Sequence, residues 1–292
     1  MISTNKNRLI TLAVQGEIVP AQVVRTYQTT WDGKAKLCIG VGGINYNLKT
    51  GMKIFGWAKG DRAEPGVATD GYGTDAQKNG YREKTGIGNQ VKVISGEAKG
   101  STGVIIGKHG YRLPGNAHHI LLHFDDETLE ELSIGDKVRV KAQSVGLMIN
   151  QFPEVMVRSA SPELLEGMKM REEAGKLVIP VVKKIPNELV GAGFGTRALS
   201  SHIDIQTCYP PDIEEYGLDE LRFGDVVCLE NILSDYGRHV YRGGRTIGII
   251  CSGPSDLSGQ GIGVSTILSS SEGEIKPVIE GDANLVNILR LG

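Results

Sequence analysis

Residues 91–105 read Val91-Lys92-Val93-Ile94-Ser95-Gly96-Glu97-Ala98-Lys99-Gly100-Ser101-Thr102-Gly103-Val104-Ile105. Val91 and Val93 alternate with Lys92, a period of two that sets both valines on one face of a strand. Gly96, Gly100 and Gly103 then supply a centre that tolerates positive φ and a bulged turn, with Lys99 projecting from it. Val104 and Ile105 resume a β-branched run, so the stretch predicts a hairpin rather than a helix.

The same pattern recurs outward in both directions. Short Val- and Ile-rich runs closed by Gly, Asp or Asn occur at 8–14, 22–26, 36–39, 120–124, 137–142, 176–182, 225–229 and 246–251. Regular short strands without alternating long helices predict a mainly β fold of barrel or sandwich elements with a few short helices. One helix is expected over 162–174. Ser161 would cap it, Pro162 takes its first position, and Glu163 lies in its first turn. Leu164, Leu165 and Met168 form its apolar stripe and Gly175 its stop. Shorter helices are expected at 211–217 and 283–289, and the Gly-rich, charged stretch 57–88 reads as a long loop. Leu132–Val140 and Leu221–Leu229 share a Gly-Asp turn before an alternating run. A boundary near 150–161 divides residues 1–150, an N-terminal β domain, from residues 151–292, a C-terminal β-rich domain with the one convincing helix.

Composition removes several function classes. The 292 residues carry 32 Lys and Arg against 34 Asp and Glu, a net charge of −2 with 40% apolar residues. Such a chain folds, and it lacks the bulk positive charge of a general nucleic-acid binder. Cys38, Cys208, Cys228 and Cys251 form no CxxC pair, and Cys228 and Cys251, each inside an apolar run, read as buried small hydrophobes. The opening residues hold no apolar run of the signal-peptide kind, and no uncharged apolar run approaches the ~18 residues that span a membrane. A cytoplasmic protein without membrane contact is the expectation.

Several polar residues stand where they invite chemistry. In Gly60-Asp61-Arg62-Ala63-Glu64-Pro65-Gly66-Val67, Asp61 and Glu64 are two carboxylates in a restrained loop, a pattern that suits a divalent metal or a polarised water as well as a solvated turn. His109 is framed by Lys108 and Gly110. His118 and His119, adjacent on a strand, point to opposite faces, whereas His119 and His123 share one; with no Cys or acid at a zinc spacing, a closed zinc site is not expected. In Ser201-His202-Ile203-Asp204-Ile205-Gln206-Thr207, Asp204 interrupts an apolar run and, if interior, needs a metal, a cation or several donors. Asp235-Tyr236-Gly237-Arg238-His239-Val240-Tyr241-Arg242-Gly243-Gly244-Arg245 gathers three arginines without an internal acid after Asp235, either for an anionic substrate or as a basic hairpin tip around Gly243-Gly244.

Three resemblances add to these readings. The segment 91–110 resembles the KOW motif of ribosomal proteins and transcription elongation factors, carried by Gly96, Lys99, Gly100 and Gly103. That resemblance implies an SH3-like, KOW-type barrel over 90–142 that contacts RNA or protein. Taken whole, through Gly60–Val67, Ile203–Thr207, Glu215–Asp219, Leu221–Asp225, Tyr236-Gly237-Arg238 and Thr246-Ile247-Gly248, the chain resembles an uncharacterised prokaryotic family known as a domain of unknown function. The stretch 201–250 is similar to acetamidase/formamidase proteins in the order of Asp204, Gly224, Asp235, His239 and Gly248.

Two functions follow as expectations. The first is a small-molecule enzyme, a metal-assisted hydrolase of an amide or other small anionic substrate. Asp204, His239 and His109 would be its catalytic residues, Arg238, Arg242 and Tyr236 would hold the substrate, and Asp61, Glu64 and Asp204 would hold a divalent metal. It requires these distant segments to meet in one cleft, and it allows a homo-oligomer. The second is a non-enzymatic RNA- or protein-binding module, whose basic face would contain Lys92, Lys99, Lys108 and Arg112. Balanced charge and polar residues inside apolar strands favour the enzyme over the nucleic-acid reading.

Overall fold

The computed structural model describes residues 2–23, 27–36, 41–58, 61–110, 118–271 and 273–292. Strands β1 (Leu12–Ile18), β2 (Gln28–Thr29), β3 (Ala35–Lys36) and β4 (Val67–Gly71) come first, and helix α1 (Asp75–Lys84) follows. Next are β5 (Gln90–Val93), β6 (Thr102–Gly110), β7 (His118–His123), α2 (Asp126–Glu131) and β8 (Lys137–Ala142). Six of these strands close a barrel in the order β1-β4-β7-β6-β5-β8, every pair antiparallel. The hairpin predicted over 91–105 is β5–β6 of that barrel.

The C-terminal part holds β9 (Met156–Val157), α3 (Pro162–Gly167), β10 (Arg171–Glu173), β11 (Lys176–Val181), β12 (Lys183–Ile185) and β13 (His202–Gln206). It continues with α4 (Pro210–Glu215), β14 (Val226–Leu233), β15 (His239–Ile250), β16 (Gly261–Ser270), β17 (Ile275–Ile279) and α5 (Leu285–Leu289). β12-β14-β15-β16-β13 with β9 make a six-stranded sheet, and β10-β11-β17 a smaller one. The fold is mainly β with short helices, as its sequence reads.

Alternation along β14 shows how the large sheet is covered. Val226 and Cys228 join the core that fills the barrel, while Val227 and Leu229 join a second core on the other face. One continuous apolar cluster thus ties barrel to sheet. Cys228 and Cys251 lie buried with free thiols, as small hydrophobes do.

Four local expectations are corrected. The stretch 57–88 is not one loop: it contains β4 and α1. Thr74 and Gln77 form a capping box at the start of α1, although only Tyr81 of the helix is buried. The helix after Ser161 ends at Gly167, and Ala174-Gly175, both at positive φ, instead turn the β10–β11 hairpin. Gly243-Gly244 lie within β15, opposite a bulge at Asn231, so the β14–β15 connection is residues 234–238. The run at 8–14 begins its strand only at Leu12. Of the runs at 22–26 and 36–39, residues 24–26 and 37–39, Cys38 included, lie outside the described residues, as do Gly60, Tyr111 and Arg112.

The repeated Gly-Asp pattern is a repeated turn. Gly135 and Gly224 both sit at positive φ. Asp136 Oδ2 accepts the Ser133 backbone N–H at 2.9 Å, and Asp225 Oδ2 accepts that of Arg222 at 2.8 Å. The aspartates are buried clamps that start β8 and β14.

Candidate functional site

β6 and β7 are the barrel strands with both faces covered, because β13 and β16 pack against β6. A bulge between Ile105 and Gly107 sets the register so that His109 lies directly opposite His119. Cross-strand partners share a face, and this face turns to the C-terminal sheet. Gly107 lies on it two residues before His109, and a Cβ there would fall 2.5 Å from Cys251 Cβ, so only glycine allows the approach. The Ser265 hydroxyl closes the seam by accepting the Lys108 N–H at 2.9 Å and donating to the Lys108 carbonyl at 3.0 Å.

Glu64 enters this seam from the loop before β4. His109 Nδ1 hydrogen-bonds its Oε1, His119 Nδ1 lies 2.9 Å from both oxygens, and Gly42 N–H donates to Oε2 at 2.6 Å. On the far side His202 of β13 stacks obliquely on His109, with ring centroids 4.6 Å apart and planes at 40°. Gly110 N–H donates to His202 Nδ1 at 2.7 Å, which puts the ring proton of a neutral His202 on Nε2. That nitrogen lies 2.8 Å from Asp204 Oδ1, two residues along the same strand face, but off the line of a hydrogen bond. Both Asp204 oxygens are buried without a hydrogen-bond donor among the described residues. The result is a chain of groups, His119–Glu64–His109–His202–Asp204, whose members are each at most 3% exposed.

The charge states follow from the neighbours. Burial opposes ionising Glu64, but His119 and His109 outweigh it and hold the carboxyl well below the usual carboxylate range. Burial also lowers both imidazoles. At His119 the carboxylate prevails and the net shift is upward, whereas at His109 burial prevails and the net shift is downward. Protonation is therefore favoured at His119 and opposed at His109, which as a neutral ring donates through Nδ1 to ionised Glu64. His109 Nε2 carries its lone pair and bonds no described residue.

The expected grouping of residues is assembled in part. Glu64 and Asp204 are brought to the two ends of the His109–His202 pair. Asp61 is buried nearby in the same loop, held by Ser255 Oγ at 2.7 Å, Arg62 Nε at 3.3 Å and Lys36 Nζ at 3.9 Å. Asp61, Glu64 and Asp204 do not form a ligand set: cations surround Asp61, and imidazole and amide donors occupy the oxygens of Glu64. Among the described residues no three His, Cys, Asp or Glu side chains are arranged to hold a metal ion.

The other expected residues stand elsewhere. His239, Arg242 and Tyr236 are exposed at the β14–β15 connection and the start of β15, Tyr236 by 94%, with His239 stacked edge-on to Tyr241. Arg238 is buried, but its guanidinium is spent on the fold. It donates to Thr196 Oγ1 and Ser201 Oγ at 2.7 Å each, to the His202 carbonyl at 2.9 Å and to the Ser201 carbonyl at 2.6 Å. It is an anchor for the start of β13, not a substrate clamp. Lys108 does not belong to a basic face either. It is buried, and its Nζ donates to the Arg82, Thr85 and Leu199 carbonyls at 2.8, 2.7 and 2.6 Å, tying down the C-terminal end of α1.

Three site residues escaped the sequence reading. His202 had a signal, since only Ile203 separates it from Asp204 on one strand, which puts both on one face. His119 became relevant only through the β6–β7 register. Arg62 sits at φ 49°, bonds Asp61 and Gln260, and is close enough to His109 to help lower its basicity.

Fold and site together describe a two-part β protein with a polar cluster closed between its parts, and comparisons with known proteins place it in a family. The N-terminal model of the domain of unknown function DUF4438 matches residues 27–166, and the C-terminal model matches residues 167–289. The chain belongs to the DUF4438 family. A solved structure, described as the crystal structure of TM1086, is 36% identical over 97% of each chain, with a TM-score of 0.89. No curated protein sequence matches the chain. Neither the KOW-like nor the acetamidase-like resemblance is shown by these matches.

Proposed function

We propose that the protein is a small-molecule enzyme that hydrolyses an amide or ester of a small acid, with His109 as general base and then general acid. The observation that carries this reading is the Glu64–His109 hydrogen bond. A buried carboxylate fixes the imidazole through Nδ1 and leaves Nε2 as the basic nitrogen. In the reaction His109 Nε2 takes a proton from water as the water oxygen attacks the carbonyl carbon. It returns that proton to the leaving nitrogen or oxygen as the bond to carbon breaks. Glu64 offsets the positive charge on the ring between the two steps. Arg62, with a side chain 20% exposed, supplies the positive charge for an anionic substrate. Arg238 and Arg242 do not.

A panel of p-nitroanilides and p-nitrophenyl esters of small acids, with and without a second carboxylate, tests it. The wild type is expected to hydrolyse at least the carboxylate-bearing members. His109→Gln is expected to lose about 10²–10⁴-fold in rate, while Tyr236→Phe and His239→Ala keep theirs. No turnover across the panel, together with His109 ring resonances that do not move when succinate is added, would remove the proposal.

A further inference from the structure

A second feature lies on the outer face of the barrel, apart from the histidine cluster. Register places Lys92 of β5 directly opposite Arg139 of β8, with Gln15 of β1 on the other side of Arg139 and Thr102 of β6 beside Lys92. Lys141 follows two residues on from Arg139, on the same face and opposite Ala13. Lys92, Arg139 and Lys141 are all exposed. Like charges directly opposite on neighbouring strands are unfavourable unless an anion lies between them. The described residues supply none. Glu17 is the one acid in β1, β5, β6 and β8, and it pairs with Lys137. Lys92, Arg139 and Lys141 form no ion pair among the described residues. The three cations rim a shallow hollow of about 400 Å³, with Gln90, Thr102 and Leu12 among its other walls.

We infer that this face binds the phosphodiester backbone of a nucleic acid, without reading its bases. The hollow is open to water, where salt screens each contact and a lone small anion gains little. A polyanion gains from several contacts at once through released counterions. The guanidinium and two ammonium groups, with amide and hydroxyl donors beside them, match phosphate oxygens. No aromatic side chain lines the hollow to stack a base.

The test is fluorescence anisotropy of a labelled 20-nucleotide oligouridylate with the full chain at 50–200 mM salt. Three contacts predict a log–log salt slope of about −2, or roughly 20-fold weaker binding across that range. Arg139→Gln is expected to reduce the slope by about 0.7, and the triple variant Lys92→Gln/Arg139→Gln/Lys141→Gln to abolish binding. The triple control Lys53→Gln/Lys176→Gln/Lys184→Gln removes the same charge from exposed sites outside the hollow and is expected to bind as wild type. Equal loss in both triples, no binding at 50 mM, or displacement by polyglutamate as effective as by unlabelled oligouridylate each overturns the inference. The last result would mark an acidic protein as the partner.

Discussion

Replacing Glu64 with Gln deletes the negative charge that holds His119 protonated and leaves the ring in place. Two unit charges about 4 Å apart interact by about 4 kcal/mol at an effective dielectric of 20. His119 Nδ1 is 2.9 Å from both Glu64 oxygens, so the full interaction applies. Burial pushes the ring the opposite way and is unopposed once the carboxylate is gone. His119 is therefore expected to titrate above the ordinary histidine value in the wild type and below it in Glu64→Gln. Long-range ¹H–¹⁵N spectra of the imidazoles, recorded from pH 4 to 9, read both values. Unchanged His118 ring shifts above pH 7 would show that the seam is intact. A His119 titration that moves by less than about half a unit would refute the Glu64–His119 ion pair, and with it the charge assignment of the whole cluster.

Three further outcomes are expected. Burial, aided by Arg82, pushes His118 down to about 3 from an ordinary 6.5, so the unfolded chain binds the extra proton between those values. Its contribution is complete above pH 6.5 and is lost as pH falls toward 3; His118→Gln should flatten that limb of urea-unfolding stability by about 5 kcal/mol. Lys108→Met leaves three carbonyls without their donor and should cost about 2–4 kcal/mol in the same assay, with protease sensitivity appearing first at the end of α1; an unaltered midpoint would contradict the tether. Gly107→Ala forces a methyl against Cys251 Cβ and should cost about 1–3 kcal/mol, recovered in part by Gly107→Ala/Cys251→Gly; equal stability of all three proteins by thermal melts would deny the close approach.

The barrel was legible because its strands obey a period of two. Lys137–Ala142 and Gln90–Val93 alternate cleanly, and the structure bounds them within a residue of expectation. α1 was hidden because nearly all its side chains are polar and its stability comes from a capping box and the single buried Tyr81. Glu64, His109 and Asp204 could be picked out as polar residues in apolar or Gly-rich surroundings. Their grouping could not be read, since it depends on one bulge in β6 and on which face of β13 meets the barrel. Arg238 and the exposed tip residues misled for the opposite reason. Residue type announces a charge, but only burial and hydrogen-bond saturation tell whether that charge is free to meet a substrate.

The polar cluster is assembled from unlike contributions: the barrel half brings Glu64, His109 and His119, and the sheet half brings His202 and Asp204. Neither fragment, expressed alone, would contain a whole reactive constellation, and each would carry naked ionisable groups on a surface meant to be sealed. Inheritance of the two segments is thereby coupled. A gene split between them could stay useful only if its products reunited.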